Sequence, residues 1–432
     1  MPTRALWAWW LMAAALVCGR ASALASALPR RAAARPLSVA VAATTTHVAA
    51  APSKPHLFSV APMMEYTDAH QRFLFRLLSR RAVLYTEMVT TNALVRNEED
   101  PRRFLEADFG VEEPVVLQLG GSDVGQMREA ARIAHRYGYR EVNINCGCPS
   151  EKVADAGCFG AALMLTPDVV SALACAVGDA IGRPATIKCR IGVNDADSYE
   201  GLHSFVLTVS EGGGVGHFIV HARKAVLGAK FSPDDNRKIP PLRYDYVYRL
   251  AQDFPHLQFT LNGGVNTLDD CQQVLSQQPL LAGVMVGRAC VNSVFHWANV
   301  DSVLYGEPDA NHSRRHILQA YATYAQGVED RDGARARRAL VKPLLGLFTA
   351  EPNGRLFRAK LDEGLLVQQP RPLPISQVIL SAAEGALKPL VLDLLPSQLK
   401  QRTEIYAAAS AAARAAAEGV FAPAITRAGE GF

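Results

Sequence analysis

The run PVVLQLGGSDVGQMREAARIAHRYGYREVNINCG, residues 114–147, holds a whole structural unit. It opens with a short apolar stretch, PVVLQLGG (114–121), and closes with another, EVNINCG (141–147). Between them, DVGQMREAARIAHRYG (123–138) reads as an amphipathic helix. Strand, helix and strand in that order predict a parallel βαβ unit. The pattern repeats on both sides. FSVAPM (58–63) and AVLYTEMV (82–89) precede it; ATIKCRIG (185–192), HFIVHAR (217–223), QFTLNGG (258–264) and GVMVGR (283–288) follow. TPDVVSALACAVGDAIG (166–182) is a second clear helix. Eight such units in about 230 residues predict an α/β fold of the (β/α)8 TIM barrel kind. A doubly wound sheet is the alternative, but it would usually carry GxGxxG after its first strand, and none stands there.

The chain has 432 residues, 49% hydrophobic and 20% charged, which suffices for a large core. A net charge of +4 is too small to point to nucleic acid by itself, so any such claim must rest on local patches. Before the barrel, LWAWWLMAAALVCG resembles a signal-peptide core, and the stretch behind it is rich in Arg, Ala, Ser and Thr. No acid occurs before Glu65. This predicts a cleaved targeting leader over 1–53 that directs import into an organelle, a plastid ahead of a mitochondrion. The barrel is expected over 54–308. From about 310 the pattern turns helical, predicting a C-terminal bundle over 309–400. The Ala-rich residues 401–432 are expected to be a frayed or disordered tail.

Chemistry in such a barrel sits where the strands end. Those ends carry Pro62-Met63, Glu87, Gln118, Asn145 to Cys148, Lys188 to Arg190, His221 to Arg223, Asn262-Gly263-Gly264 and Gly287-Arg288. The glycines after strands seven and eight suit a phosphate site, because backbone N–H groups can approach oxygens closely there. Arg288 can add a bidentate contact. Lys188 inside an apolar strand can stabilise negative charge on a reduced flavin ring, with Gln118 and His221 at neighbouring strand ends. A lone Lys or His at a strand end is more often a satisfied structural residue; several on one rim favour a site.

The loop NINCGCPSEKV (143–153) holds two cysteines one residue apart. A metal reading needs more ligands, and Cys158 is the only near one. A disulfide between Cys146 and Cys148 would close a very small, strained ring. Strand alternation puts Val142, Ile144 and Cys146 on one face and Asn143 and Asn145 on the other. Cys146 then reads as a core residue. Cys148 falls past the strand end, before a proline that holds the loop extended. A thiol in water is mostly protonated at neutral pH, so it can serve as a general acid without special tuning.

Taken together, SVAPMMEYTDAHQRFLFRLLSR, LYTEMVTTNAL, PVVLQLGGSD, NINCGCPSEKV, GCFGAALM, IKCRIGVND, IVHARKA, NRKIPPL, LNGGV and GVMVGRA resemble a tRNA-dihydrouridine synthase of the A type, over roughly residues 57–360. The resemblance implies bound FMN, NADPH as a transient electron donor, and reduction of uridine to 5,6-dihydrouridine at positions 20 and 20a of the tRNA D-loop. It implies hydride transfer to C6 and a proton from Cys148 to C5. It carries the flavin contacts to Pro62, Met63, Met64, Gln118, Lys188, His221, Asn262, Gly263, Gly264, Gly287 and Arg288. It carries tRNA contacts to Asn145, Arg237, Arg355 and Arg358. It calls for no metal, no membrane in the mature form and no obligate protein partner.

From Ser313 to Lys360 there are ten Lys/Arg against four Asp/Glu, which reads as a phosphate-binding face. The plain alternative is a solvated helix face. Two departures from the family pattern bear on tRNA docking. Asp234 stands where the family has a lysine, in a loop about one residue longer than usual, with Lys230 as the nearest replacement. Phe357 stands where a tryptophan is usual. The competing functions are another FMN barrel acting on a small cyclic substrate, and a tRNA-binding folding aid without catalysis. Cys148→Ala separates the last from an enzyme, because only an enzyme has activity to lose.

Overall fold

A computed structural model of the protein describes residues 56–150, 159–228, 231–366, 372–402, 404–408 and 411. The expected leader, Cys158, Lys230 and the end of the Ala-rich tail lie outside these described residues.

Eight strands are present: β1 (Phe58–Val60), β2 (Val83–Thr90), β3 (Val115–Gly120), β4 (Val142–Cys146), β5 (Thr186–Arg190), β6 (His217–His221), β7 (Gln258–Asn262) and β8 (Gly283–Val286). They close in sequence order into one barrel. Every neighbouring pair is parallel, including the β1–β8 seam. An order that runs from first to last and closes excludes the doubly wound alternative.

The two-residue period of each strand decides what goes where. In β4, Val142, Ile144 and Cys146 are fully buried in the apolar layer between barrel and helices. Asn143 and Asn145 point the other way, into the barrel, where they bond to Gln118 of β3. Cys146 is the core residue its alternation predicts. Inside the barrel, Ala61, Val83, Tyr85, Val116, Ile219 and Met285 form a separate apolar cluster. A register shift between Tyr85 and Met88 bends β2 near its end.

Helices cover the strands outside: α1 (Ala69–Arg76), α2 (Thr91–Arg96), α3 (Val124–Tyr137), α4 (Pro167–Ile181), α5 (Tyr199–Gly213), α6 (Tyr244–Asp253), α7 (Leu268–Gln277) and α8 (Arg288–Asn292). Their ends follow their sequence. Asp123 accepts the Gln126 N–H at the start of α3, and Thr267 and Asp270 form a reciprocal capping box on α7. In α3, Met127, Ala130, Ala131 and Ala134 are buried at helical spacing, so the small side chains let α3 lie close to its neighbours.

Beyond the barrel come α9 (Arg314–Asp332), α10 (Gly354–Leu366) and α11 (Ile375–Ala386). Their apolar faces join the same core that covers the strands. On α9, Tyr324 stacks on Phe73 of α1 at 3.8 Å between ring centres, and its hydroxyl meets His70 Nδ1 at 2.8 Å. Arg314 is buried over the Phe295 ring and bonds to Glu351 Oε1 at 2.7 Å. Arg331 and Asp332 at the end of α9 pair with Glu106 and Arg102 of the barrel, so the helices are fastened to it by both stacking and charge.

Candidate active site

All the strand-end residues singled out above lie around one mouth of the barrel. Cys148 follows β4, half-buried, on a loop held at three points. Asn145 Oδ1 accepts the N–H groups of Gly147 and Cys148, each at 3.0 Å. The Cys148 carbonyl accepts the Ala161 N–H at 2.8 Å. The Gly147 carbonyl accepts from Arg190 Nε at 3.1 Å. Asn145 Nδ2 in turn donates to Gln118 Oε1 at 2.8 Å, and Gln118 Nε2 donates to Asn143 Oδ1 at 2.8 Å. The expected ring-edge contact Gln118 and the expected base contact Asn145 are therefore both engaged in the barrel wall. Each amide nitrogen keeps a second N–H.

Next to this loop, β5 supplies Lys188 and Arg190 on the same inward face. Lys188 Nζ donates to Asn262 Oδ1 at 3.1 Å, and Asn262 Nδ2 donates to the Met285 carbonyl at 2.8 Å. Burial, and then the Arg190 charge, pushes the Lys188 ammonium down to about 8. The Arg190 bond to the Gly147 carbonyl and the pairing of Asn145 with Lys188 across β4 and β5 set the thiol loop beside both cations. His221 is buried, and burial with the charges of Arg190, Lys188, Arg223 and Arg237 drives its imidazole well below its ordinary value. It is neutral at physiological pH. Among the described residues, Lys188, Arg190 and Arg223 bring positive charge to this side of the mouth.

The glycine pair after β7 completes the arrangement. Gly263 and Gly264 both adopt positive φ, 102° and 79°. A Cβ at Gly263 would meet the His221 ring at 2.5 Å, and one at Gly264 would meet Leu242 and Tyr244 at 2.6 Å. Only glycine fits at these positions, where the His221, Leu242 and Tyr244 side chains pack against the turn. Met63 lies beside Gly287, where its sulfur is 3.6 Å from an added Cβ. Pro62 is half-buried, and Met64 is exposed. Arg223 has its Nε buried without an acceptor. A positive-φ glycine pair, an orphaned buried guanidinium nitrogen and several nearby cations together fit a bound anion with a phosphate, as FMN has.

Arg288 is exposed and bonds to Asp234 Oδ1 at 3.0 Å. The same carboxylate meets Arg237 at 3.5 Å and Lys238 at 2.5 Å. The departure from the family pattern at Asp234 thus gathers three cations. Asn236 beside it is fully buried, bonding to both backbone groups of Val226, and turns Arg237 outward.

The basic count on the helical extension needs correction. Arg314 and Arg337 are buried on Glu351 and Glu329. Arg315 pairs with Asp393, and Arg331 with Glu106 and Asp332. Those four are structural. Arg335, Arg338, Arg355 and Arg358 are exposed and make no ion pair among the described residues. Phe357, where the family has tryptophan, is buried and packs edge-on to Phe348 at 4.8 Å. That departure belongs to the core, while Arg355 and Arg358 lie one helical turn apart outside it.

Two residues named at strand ends, Arg190 and Arg223, were given no role from the sequence. Arg190 holds the thiol loop and also bonds to the Asn236 carbonyl at 2.8 Å and the Lys224 carbonyl at 3.1 Å. Arg223 faces the anion site. The alternation in IKCRIG, which pairs Arg190 with Lys188 on one face, was the available signal.

Among the described residues, no cluster of His, Cys, Asp and Glu is placed to hold a metal ion. None of their helices is long and apolar enough to cross a membrane.

Comparison with known proteins matches residues 59–383 to the family described as dihydrouridine synthase. A tRNA-dihydrouridine(20/20a) synthase of Pseudomonas putida is 44% identical over 320 residues, 74% of this chain and 92% of that one. One from Xanthomonas campestris is 43% identical over 306 residues, covering 71% and 88%. One from Escherichia coli K12 is 41% identical over 306 residues, covering 71% and 86%.

Proposed function

The chain belongs to the dihydrouridine synthase family, and from that premise we propose that it reduces uridine to 5,6-dihydrouridine at positions 20 and 20a of tRNA. The observation that carries the reading is the Cys148 loop bonded to Arg190 and set beside Lys188, which in turn bonds to Asn262 ahead of the Gly263–Gly264 turn. FMN, when bound, supplies a hydride to C6 of the uracil, and NADPH is the source of its electrons.

The protein's own groups do the rest. Gly263, Gly264, Gly287, Arg288 and Arg223 hold the phosphate by backbone and guanidinium N–H groups. Lys188 offsets negative charge on the ring, and neutral His221 donates a hydrogen bond. Asn262 orients the Lys188 ammonium. Pro62, Met63 and Met64 line the wall beside Gly287, and Gln118 offers its remaining N–H to the ring edge. Cys148 Sγ–H gives its proton to C5 as hydride reaches C6, so the C5–C6 double bond gains two hydrogens; solvent then reprotonates the thiolate.

The target base must leave its stack to reach the mouth. Asn145 has one amide N–H left for it. Arg237, Arg355 and Arg358 take backbone phosphates. The acid-free leader over 1–53 supports import into an organelle, a plastid ahead of a mitochondrion, and the reading includes it.

The test incubates the purified protein with FMN, NADPH and an unmodified tRNA transcript, followed by nucleoside mass analysis. A nucleoside heavier than uridine by two hydrogens is expected at the D-loop. Protein that shows a bound-flavin spectrum and binds the transcript, yet forms no such nucleoside, would overturn the reading.

A further inference from the structure

A groove runs between the barrel rim and the helical extension, with a volume of about 420 Å³. That is within the usual range for small-ligand sites, roughly 300–1,000 Å³. One wall is the β1–α1 segment with Tyr66, Asp68 and Gln71; the other carries Asn292 after β8 and, from the extension, Lys342 and Arg358. The floor is tightly set: a Cβ at Gly346 would overlap the Val291 carbonyl oxygen, so the extension meets the barrel backbone to backbone there.

Three features of the groove are unaccounted for by the active site. Gln71 is 2% exposed, yet its amide Nε2 has no hydrogen-bond partner. A buried amide N–H left unmade is destabilising by about 1–3 kcal/mol, which marks a place where an acceptor belongs. Tyr66 is 46% exposed on the catalytic rim, with the Lys342 ammonium 4.8 Å from its ring centre. The Lys342 ammonium also meets Glu65 Oε2, at 4.0 Å, while Arg358 adds a second cation that has no carboxylate partner among the described residues.

An exposed aromatic face, a buried donor and two cations around one space are what a single nucleotide requires: stacking for the base, a donor for its carbonyl edge, and charge for its phosphate. We propose that this groove holds one unstacked nucleotide of the substrate RNA, flanking the uridine under reduction, with its base on Tyr66, a base carbonyl on Gln71 and its phosphate between Lys342 and Arg358. The inference rests on the tRNA reading above and adds a second nucleotide site to it. It also gives Lys342 and Arg358 a defined task where the basic composition gave only a general attraction. A flanking nucleotide held here acts as a register pin, fixing which D-loop uridine can reach Cys148.

The experiment is a coupling measurement. Binding of an unmodified tRNA transcript is compared with binding of transcripts that each carry one abasic nucleotide in the D-loop. Wild type, Tyr66→Ala, Tyr66→Phe and Gln71→Leu are used as full-length, flavin-loaded proteins. Tyr66→Ala should weaken binding of the intact transcript by about 5- to 100-fold, the range of one base–aromatic stack. Tyr66→Phe should keep most of the affinity. At one abasic position, and only one, wild type and Tyr66→Ala should bind alike, because the stacked base is already missing. The same position should also erase the smaller loss from Gln71→Leu. A wild-type-to-Tyr66→Ala ratio that stays constant across all transcripts would overturn the proposal. Dihydrouridine formed by wild type, measured in the same mixtures, reports on the activity separately.

Discussion

Asn145 Oδ1 accepts the backbone N–H of Cys148 at 3.0 Å, so the residue that closes β4 inside the barrel also positions the thiol outside it. Asn145→Ala should therefore slow turnover about 10- to 100-fold. Cys148→Ala should lower it more, by at least about 100-fold, the low end for a general acid. Both variants should take up FMN as wild type does, and Cys148→Ala should also bind tRNA as wild type does. Asn145→Asp keeps an acceptor for the Gly147 and Cys148 N–H groups and should recover part of the lost rate. Single-turnover kinetics separate these cases. Full activity in Cys148→Ala would remove the thiol from the chemistry.

Lys188 has its ammonium pushed down to about 8 by burial and Arg190. An unfolded lysine titrates near 10.4. Between these values the unfolded chain binds more protons than the folded one, so the cofactor-free protein gains stability as pH rises through that window. The gain should disappear in Lys188→Met. Bound FMN, an anion, should raise the lysine toward its ordinary value and flatten the slope in wild type only. Urea midpoints for both proteins from about pH 7.5 to 10.5, with and without FMN, give the comparison.

Asp234 neutralises cations that face the mouth. Asp234→Asn should free Arg237 and Lys238 for RNA, and tighten tRNA binding several-fold at low salt. The pairs are exposed, so the gain should fade as ionic strength rises. The slope of log affinity against log salt should steepen by up to about one phosphate's worth. An unchanged slope would mean that these cations lie off the RNA path.

Glu351 is fully buried and accepts from Arg314 at 2.7 Å, Arg402 at 3.0 Å and the Tyr406 hydroxyl at 2.5 Å. Glu351→Ala leaves the Arg314 charge buried and unpaired, which should cost about 3–5 kcal/mol of stability. The denaturant midpoint should drop accordingly, while the flavin spectrum of the folded fraction stays unchanged.

The barrel is legible because its signal is local: alternating strands and capped helices repeat in order, and strand ends mark the mouth. Lys188, His221, Gly263 and Gly264 could be named from strand ends alone. The use made of each polar group is not local. Asn145 reads as a base contact alone, and only Gln118, 27 residues earlier, shows that one of its amide hydrogens is already taken. The basic stretch reads as an RNA face until Glu351, 37 residues from Arg314, and Glu106, 225 residues from Arg331, are brought beside those cations. Spacing along a helix cannot show partners that arrive from other elements.

Arg190 joins Gly147, Lys224 and Asn236 through one guanidinium. The consequence concerns how such an enzyme can diverge. The thiol loop, the segment after β6 and the turn that presents Arg237 share a common tether, so none is free to be remodelled alone. A change of target uridine made by exchanging one of these loops with a relative's should misplace the other two; a viable exchange would move all three together with their arginine. Inheritance of specificity is then by block, not by residue.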